Sequence, residues 1–276
     1  MYTSKKQAFE AAQVNSILSI GADSKTVKGQ TKGYLTGIIY MLSHTDGPAA
    51  AGMKGTLCPN AVNAGCDQAC LVSAGRGSFS SVIEGRKKRT LAFLERRDAF
   101  MVALWYDIAA LTKRAERASQ VPCVRLNGTS DIDYTKITFT APNGETGNIF
   151  QHFPHITFYD YTKNVHYKRE QLPDNYYLTF SYSQFSDTYA HKALSAAKRN
   201  ESGLAVVFRD RLPETFMGLP VVDADKTDLR FTDKETNRIK GAYIAGLKAK
   251  GKAKKDTSGF VIDDNKSNTT NLIAVA

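Results

Sequence analysis

Apolar positions change their period partway along the chain. From Ser80 to about Ser119, Ile83, Leu91, Leu94, Phe100, Val102, Leu104, Ile108 and Leu111 recur at helical intervals. That stretch has no proline and no glycine after Gly85, and its length predicts two helices or one bent one, with Ser80 and Ser81 as caps ahead of Glu84. Residues 3–19 predict a short amphipathic helix whose apolar side is Phe9, Ala12, Val14 and Ile17. Residues 21–33, GADSKTVKGQTKG, lack the spacing of a phosphate loop and predict a flexible basic connector. GYLTGIIYMLS (33–43) is β-branched, aromatic and aliphatic and predicts a strand.

After Gln120 short extended segments take over: VPCVRLNG (121–128), HITFYDYT (155–162), YYLTFSYS (176–183), LAVVFRD (204–210) and LPVVDAD (219–225). Helical or polar stretches such as TYAHKALSAAKRN (188–200) separate several of them. Strand, connector, strand in repetition predicts an α/β class with a mostly parallel sheet and crossover helices. Nothing splits the chain, so one domain is expected over 1–276, with 1–32 as N-terminal helix and connector and 263–276 as a loosely held tail.

Ligands of a parallel sheet gather at the carboxyl ends of its strands. Those ends are polar here: RLNGTSDID with Arg125, Asn127, Ser130 and Asp131, FYDYTKN with Asp160 and Lys163, FRDR with Arg209, and DADKTD with Asp223 and Asp225. Each also suits an ordinary turn or helix cap. As a ligand rim, Arg125, Asn127, Ser130, Asp225 and Arg209 are the substrate-binding candidates, and Asp131, Asp223 and Asp160 the catalytic ones. Tyr134, Tyr159, Tyr161 and Tyr182 near the strand ends are candidates to stack a base, or are core.

Directly after the first predicted strand stand Cys58, Cys66 and Cys70, spaced C-x7-C-x3-C. Three thiolates on one loop can hold three corners of a metal centre and leave the fourth open. The candidates are a [4Fe-4S] cluster, zinc, or buried thiols without a ligand. A cluster with one free iron could chelate a substrate or S-adenosylmethionine. A zinc site wants a fourth ligand, for which His44 lies nearer than Cys123.

The formal net charge of +10 favours polyanionic partners, DNA or a nucleotide above all. GRKKR (85–89), ERR (95–97) and LKAKGKAKK (247–255) concentrate it, and Lys248, Lys250, Lys252 and Lys254 are expected phosphate contacts on a mobile loop. No apolar run approaches the length of a membrane span, and the first residues have no apolar signal core, so a cytoplasmic protein without a membrane partner is expected. In a reducing compartment clustered cysteines suit metal or redox chemistry better than disulfides. Oligomeric state is not legible.

The runs TVKGQTKGYLTGIIYML, LCPNAVNAGCDQACLVSAGRG, VRLNGTSDID and FYDYTKN resemble a family of bacteriophage proteins known as "gene product 88"-like, over most of the chain. That family is similar, more distantly, to radical-SAM barrels. The resemblance implies a full or partial (β/α) barrel, a cysteine loop after the first strand, Cys58, Cys66 and Cys70 as cluster ligands, and a host-cytoplasm location. The spacing departs from the usual radical-SAM loop, C-x3-C-x2-C, and Ala69 stands where that loop has an aromatic. The leading expectation is therefore an iron–sulfur barrel protein acting on a nucleic acid or nucleotide. One rival is a base-modifying DNA transglycosylase, with a carboxylate nucleophile among Asp131, Asp223 and Asp225 and a structural zinc. The other is a metal-stapled module that binds DNA or a host protein without catalysis.

Overall fold

Ser4 opens the first helix, its Oγ accepting the Gln7 N–H at 3.3 Å. The helix stops at Ala12 because Gln13 takes a left-handed conformation with φ 57. The expected helix over 3–19 is shortened for a physical reason: the buried Asp107 carboxylate accepts the N–H groups of Ile17 and Leu18 at 2.7 and 3.1 Å, holding them extended. The computed structural model describes residues 2–21, 24–67, 70, 72 and 75–263. The predicted tail beyond Asp263 lies outside the described residues.

In chain order the elements are α1 (Lys5–Ala12), β1 (Leu18–Ile20), α2 (Ser24–Gln30), β2 (Tyr34–Ile39), α3 (Asp46–Ala50), α4 (Ser80–Glu95), α5 (Arg97–Arg117) and β3 (Val121–Arg125). There follow β4 (Thr138–Thr140), β5 (Thr146–Asn148), α6 (Ile149–His152), β6 (Thr157–Thr162), β7 (Tyr176–Ser181), α7 (Asp187–Arg199) and β8 (Gly203–Phe208). The last are β9 (Thr215–Phe216), β10 (Leu219–Asp223), α8 (Asp233–Asn237), β11 (Tyr243–Lys248) and β12 (Val261–Ile262). The long helical stretch is two helices broken at Arg96, and α4 begins after Phe79 with no side-chain cap, so Ser80 and Ser81 do not cap it. The basic connector contains α2, whose Lys28 donates to the Asp225 carbonyl at 3.0 Å.

The main sheet runs β1-β2-β3-β6-β7-β8-β11-β10-β9. Every pairing from β2 to β10 is parallel, and the antiparallel β1 and β9 end it on either side. It is an open sheet, so the barrel expected from the resemblance is not closed. The winding is nonetheless one-directional, because β2, β3, β6, β7 and β8 are neighbours in chain order. Helices α5, α6 and α7 consequently pack on one face, through Val124, Phe158, Leu204 and Val206. Alternate residues Cys123, Tyr159 and Ala205 face the other way, against Leu229 and Ala224 of the β10–β11 connection. Helix α5 is the main apolar layer: Phe100, Leu104, Ile108 and Leu111 are fully buried, each contributing about 1.5–3 kcal/mol.

Strand β11 takes up the first two residues of the lysine run, pairing Tyr243–Lys248 with β8, and Gly251–Lys255 follows as a short 3-10 turn. Strand β12 pairs with Val207 and Phe208, the end of β8 that β7 no longer reaches. This brings the segment 256–262 to the carboxyl edge of the sheet, between β7 and β8.

Candidate functional site at the carboxyl edge of the sheet

All the parallel strands end on one edge, and the chain leaving β2 is pinned there from both sides. The Thr129 hydroxyl, beyond β3, donates to the Met41 carbonyl at 2.6 Å and accepts the Met41 N–H at 3.0 Å. From α4, Arg89 Nε donates to the Tyr40 carbonyl at 2.7 Å, and Thr90 Oγ1 accepts the Leu42 N–H at 2.9 Å. The cysteine loop closes back on the same edge. Leu57 N–H donates to His44 O at 3.0 Å and Asp131 N–H to Leu57 O at 2.9 Å. Cys58 Sγ lies 3.4 Å from the His44 N–H and 3.8 Å from the Thr129 carbonyl. The His44 ring is engaged elsewhere, with Nδ1 2.9 Å from Thr56 Oγ1.

The loop turns at Gly65, whose φ of +62 suits glycine and whose missing Cβ would stand 2.5 Å from the Phe185 ring. This turn seats Cys66 against the small cluster of Val207, Ala249, Ala253, Phe260 and Val261. Cys70 Sγ lies 3.8 Å from Ser43 Oγ. The three thiols are free and half-buried, and Cys66 is within electrostatic reach of both Cys58 and Cys70.

Lys163, the first residue beyond β6, is the cation among them. Its N–H donates to Asp131 Oδ2 at 2.9 Å. Burial disfavours that ammonium, but Cys66, Tyr189, Asp131 and Cys58 together outweigh burial and push its pKa up. Burial pushes the Cys58 thiol up to about 11 and raises Cys66 and Asp131 as well, with Lys163 pulling each of the three back down. Among the described residues no three His, Cys, Asp or Glu side chains are gathered closely enough to hold a metal ion. Cys58, Cys66 and Cys70 are free thiols, soft donors of the kind that iron–sulfur clusters and zinc take.

The predicted substrate and catalytic residues divide into two groups. Asp131 belongs to the rim, its Oδ1 accepting the Thr162 hydroxyl at 2.8 Å. The others are engaged inside the fold. Asp160 is fully buried and accepts the Asn127 N–H at 2.7 Å and the Tyr176 hydroxyl at 3.0 Å. Burial lifts its carboxyl to about 7 in spite of Arg125 and these hydrogen bonds. Asn127 uses its Oδ1 to accept from Ser130 Oγ and the Ile132 N–H, both at 2.8 Å. Arg125 pairs with Asp228 at 2.8 Å and lies over the Tyr161 ring, on the sheet face away from α5. Within the chain its partner is the Asp228 carboxylate. Asp223 accepts the Asp225 N–H at 3.0 Å, forming a turn. Asp225 accepts the Lys248 N–H at 2.9 Å and the Lys250 ammonium at 2.5 Å. Asp131 lies beyond β3 against the end of β6, whereas Asp223 ends β10.

The lysine segment is anchored at this edge by Arg209, which donates to the carbonyls of Lys254 at 2.8 Å and Asp256 at 2.6 Å. Lys248, Lys250 and Lys254 are exposed, and the Lys252 side chain lies outside the described residues. Tyr134, Tyr159 and Tyr182 are buried in the core rather than available for stacking. Sequence reasoning gave Lys163 no role and treated GRKKR as one patch. Helical phase could have divided that run, because Arg86, Arg89, Thr90 and Phe93 share a face while Lys87 and Lys88 are exposed. No helix among the described residues is long and apolar enough to cross a membrane.

No curated protein and no solved structure matched the chain. The profile of the family described as "Gene product 88" matches residues 15–264, which takes in β1 to β12, the cysteine loop and the strand-end rim. A match of that extent places the chain in the gene product 88 family of phage proteins.

Proposed function

We propose that Cys58, Cys66 and Cys70 ligate an iron–sulfur cluster at the carboxyl edge of the sheet, and that the protein acts there on a nucleotide or nucleic acid. The observation that carries this reading is that one loop brings three free thiols to the carboxyl edge of the sheet, with Cys58 Sγ 3.8 Å from the Thr129 carbonyl and Cys70 Sγ 3.8 Å from Ser43 Oγ. In this reading the three cysteines would hold the cluster, and the Lys163 ammonium would balance the thiolate charge from outside the ligand set. A cluster held by three cysteines supplies an iron with an open position, able to bind a substrate group or S-adenosylmethionine. The kinship with radical-SAM barrels belongs to the proposal and is supported by the one-directional winding, not by the loop spacing.

The residues around the loop have definable tasks. Asp131 fixes the start of the β6–β7 connection through Thr162 and the Lys163 N–H. Lys163 holds its proton against burial and offers a fixed positive charge beside the thiols. The exposed lysines Lys248, Lys250 and Lys254 stand on the segment that packs against Cys66 and would attract a phosphate backbone to it. No observation favours the carboxylate-pair chemistry of a transglycosylase, since Asp131 is engaged by Thr162 and the Lys163 N–H and Asp223 by the Asp225 N–H.

Anaerobic purification and reconstitution with iron and sulfide test the reading. A brown protein absorbing near about 400 nm with about four irons per chain supports it, and Cys66→Ala is expected to lose the colour. A colourless protein carrying stoichiometric zinc, or one that takes up no iron, overturns it.

A further inference from the structure

The basic run 85–89 contains two guanidinium groups, one buried and one half-buried, that have no counter-charge among the described residues. Arg86 is only 8% exposed, and Arg89 lies half-buried one helical turn further on. Arg86 Nη1 donates to the carbonyls of Val72 at 2.7 Å and Gly77 at 3.3 Å. Its Nε is buried with no partner, and its guanidinium lies 5.8 Å from the centre of the Tyr40 ring. Arg89 uses only Nε, toward the Tyr40 carbonyl, and its remaining fork extends back over Gly85. Neither forms an ion pair among the described residues, whereas Arg125, Arg209 and Arg230 each have a carboxylate. Like-charged groups held together out of water are unfavourable unless an anion joins them. In keeping with this, burial and then the neighbouring Arg86 lower Arg89 to about 10.

The place of the pair is also informative. Arg89 and Thr90 hold Tyr40 and Leu42, the chain leaving β2, and Arg86 is within electrostatic reach of Cys70. The pair therefore adjoins the cysteine loop on the rim.

We infer that Arg86 and Arg89 form a binding site for a phosphate dianion, the terminal phosphate of the substrate. Two guanidinium groups one helical turn apart carry a double charge that a phosphate monoester matches better than a single carboxylate does. The dianion can belong to a free nucleotide or to the 5′ end of a nucleic acid strand, and the chemistry at the arginines is the same. The inference deepens the proposed function and rests on it for the role of the phosphate. Phosphate binding itself is measured independently of iron content, so either can fail without the other.

The test is calorimetric titration of the full chain with inorganic phosphate, a nucleoside monophosphate, and a short oligodeoxynucleotide with and without a 5′ phosphate. Arg89→Gln is compared with Lys88→Gln, an exposed neighbour from the same run. The expected result is phosphate-dependent binding that Arg89→Gln weakens at least tenfold and Lys88→Gln leaves within about twofold. Binding of the monophosphate assigns a free nucleotide, and binding only of the 5′-phosphorylated oligonucleotide assigns a strand end. No phosphate-dependent binding, or equal weakening by both substitutions, overturns the inference. If Arg89→Gln does not fold, Arg89→Met, which keeps the unbranched stem, takes its place in the same comparison.

Discussion

Arg125 Nη1 donates to Asp228 Oδ2 at 2.8 Å, and both side chains are shielded from water, Asp228 at 2% exposure and Arg125 at 15%. The most prominent cation on a strand end thus has a partner inside the fold, delivered by the β10–β11 connection. Removing one member of such a pair strands the other. Asp228→Ala is expected to lower stability by about 3–5 kcal/mol, measured by urea denaturation. A loss within about 1 kcal/mol, the range of exposed pairs, would show that Arg125 is solvated in the folded protein.

Asp160 ties stability to pH. Burial lifts its carboxyl from 3.8 to about 7 in the folded state, while the unfolded chain keeps the lower value. A raised folded pKa means that the contribution is complete below about 4 and is lost as pH rises through about 7. The stability difference between pH 5 and pH 8 is therefore expected to shrink in Asp160→Asn relative to the unaltered protein. An unchanged difference would assign the pH dependence to the other buried carboxyls, Asp107, Asp131 and Asp233.

Gly65 and Phe185 form a separable pair. Gly65→Ala meets both a left-handed backbone and the Phe185 ring, and is expected to lose about 1–3 kcal/mol. In a Phe185→Ala background only the backbone penalty remains, so the two substitutions should be non-additive. Chemical denaturation of the four proteins in the double-mutant cycle measures this. Additive losses would show that the loop relaxes away from the ring.

The lysine segment makes a salt-dependent prediction. Lys248→Ala with Lys254→Ala should weaken single-stranded DNA binding and reduce the log–log salt slope by about 1.4, two contacts at about 0.7 each. Fluorescence anisotropy at several salt concentrations checks it. Unchanged affinity would leave Arg209 and Asp225 as organisers of a turn with no part in binding.

Much of the sheet was legible because its strands are buried on both faces and read as continuous apolar or alternating runs, as in 121–125, 157–162 and 203–208. Strand β11 was missed because LKAKGKAKK drew attention to charge, although YIAGL just before it carries the apolar pattern. The cysteines and Asp131 were legible as strand-end residues. Their meeting with Lys163 was not, because it depends on β3 and β6 lying side by side. Asp160, Asn127 and Arg125 look like ligand-binding groups in sequence, but polar residues that satisfy each other across neighbouring strands carry the same signature. The difference lies in Asp228 and Tyr176, contributed from elsewhere in the chain.

The seating of Cys66 against Phe260 and Val261 sets a timetable. The two sides of that contact are about 190 residues apart, so synthesis at about 5–20 residues per second separates them by about 10–40 s. Throughout that interval Cys66 lacks Phe260 and Val261 of its apolar cover, while β2 and the helices after it already exist. Thiol-directed reagents therefore reach Cys66 most readily before β12 arrives and completes its apolar cover.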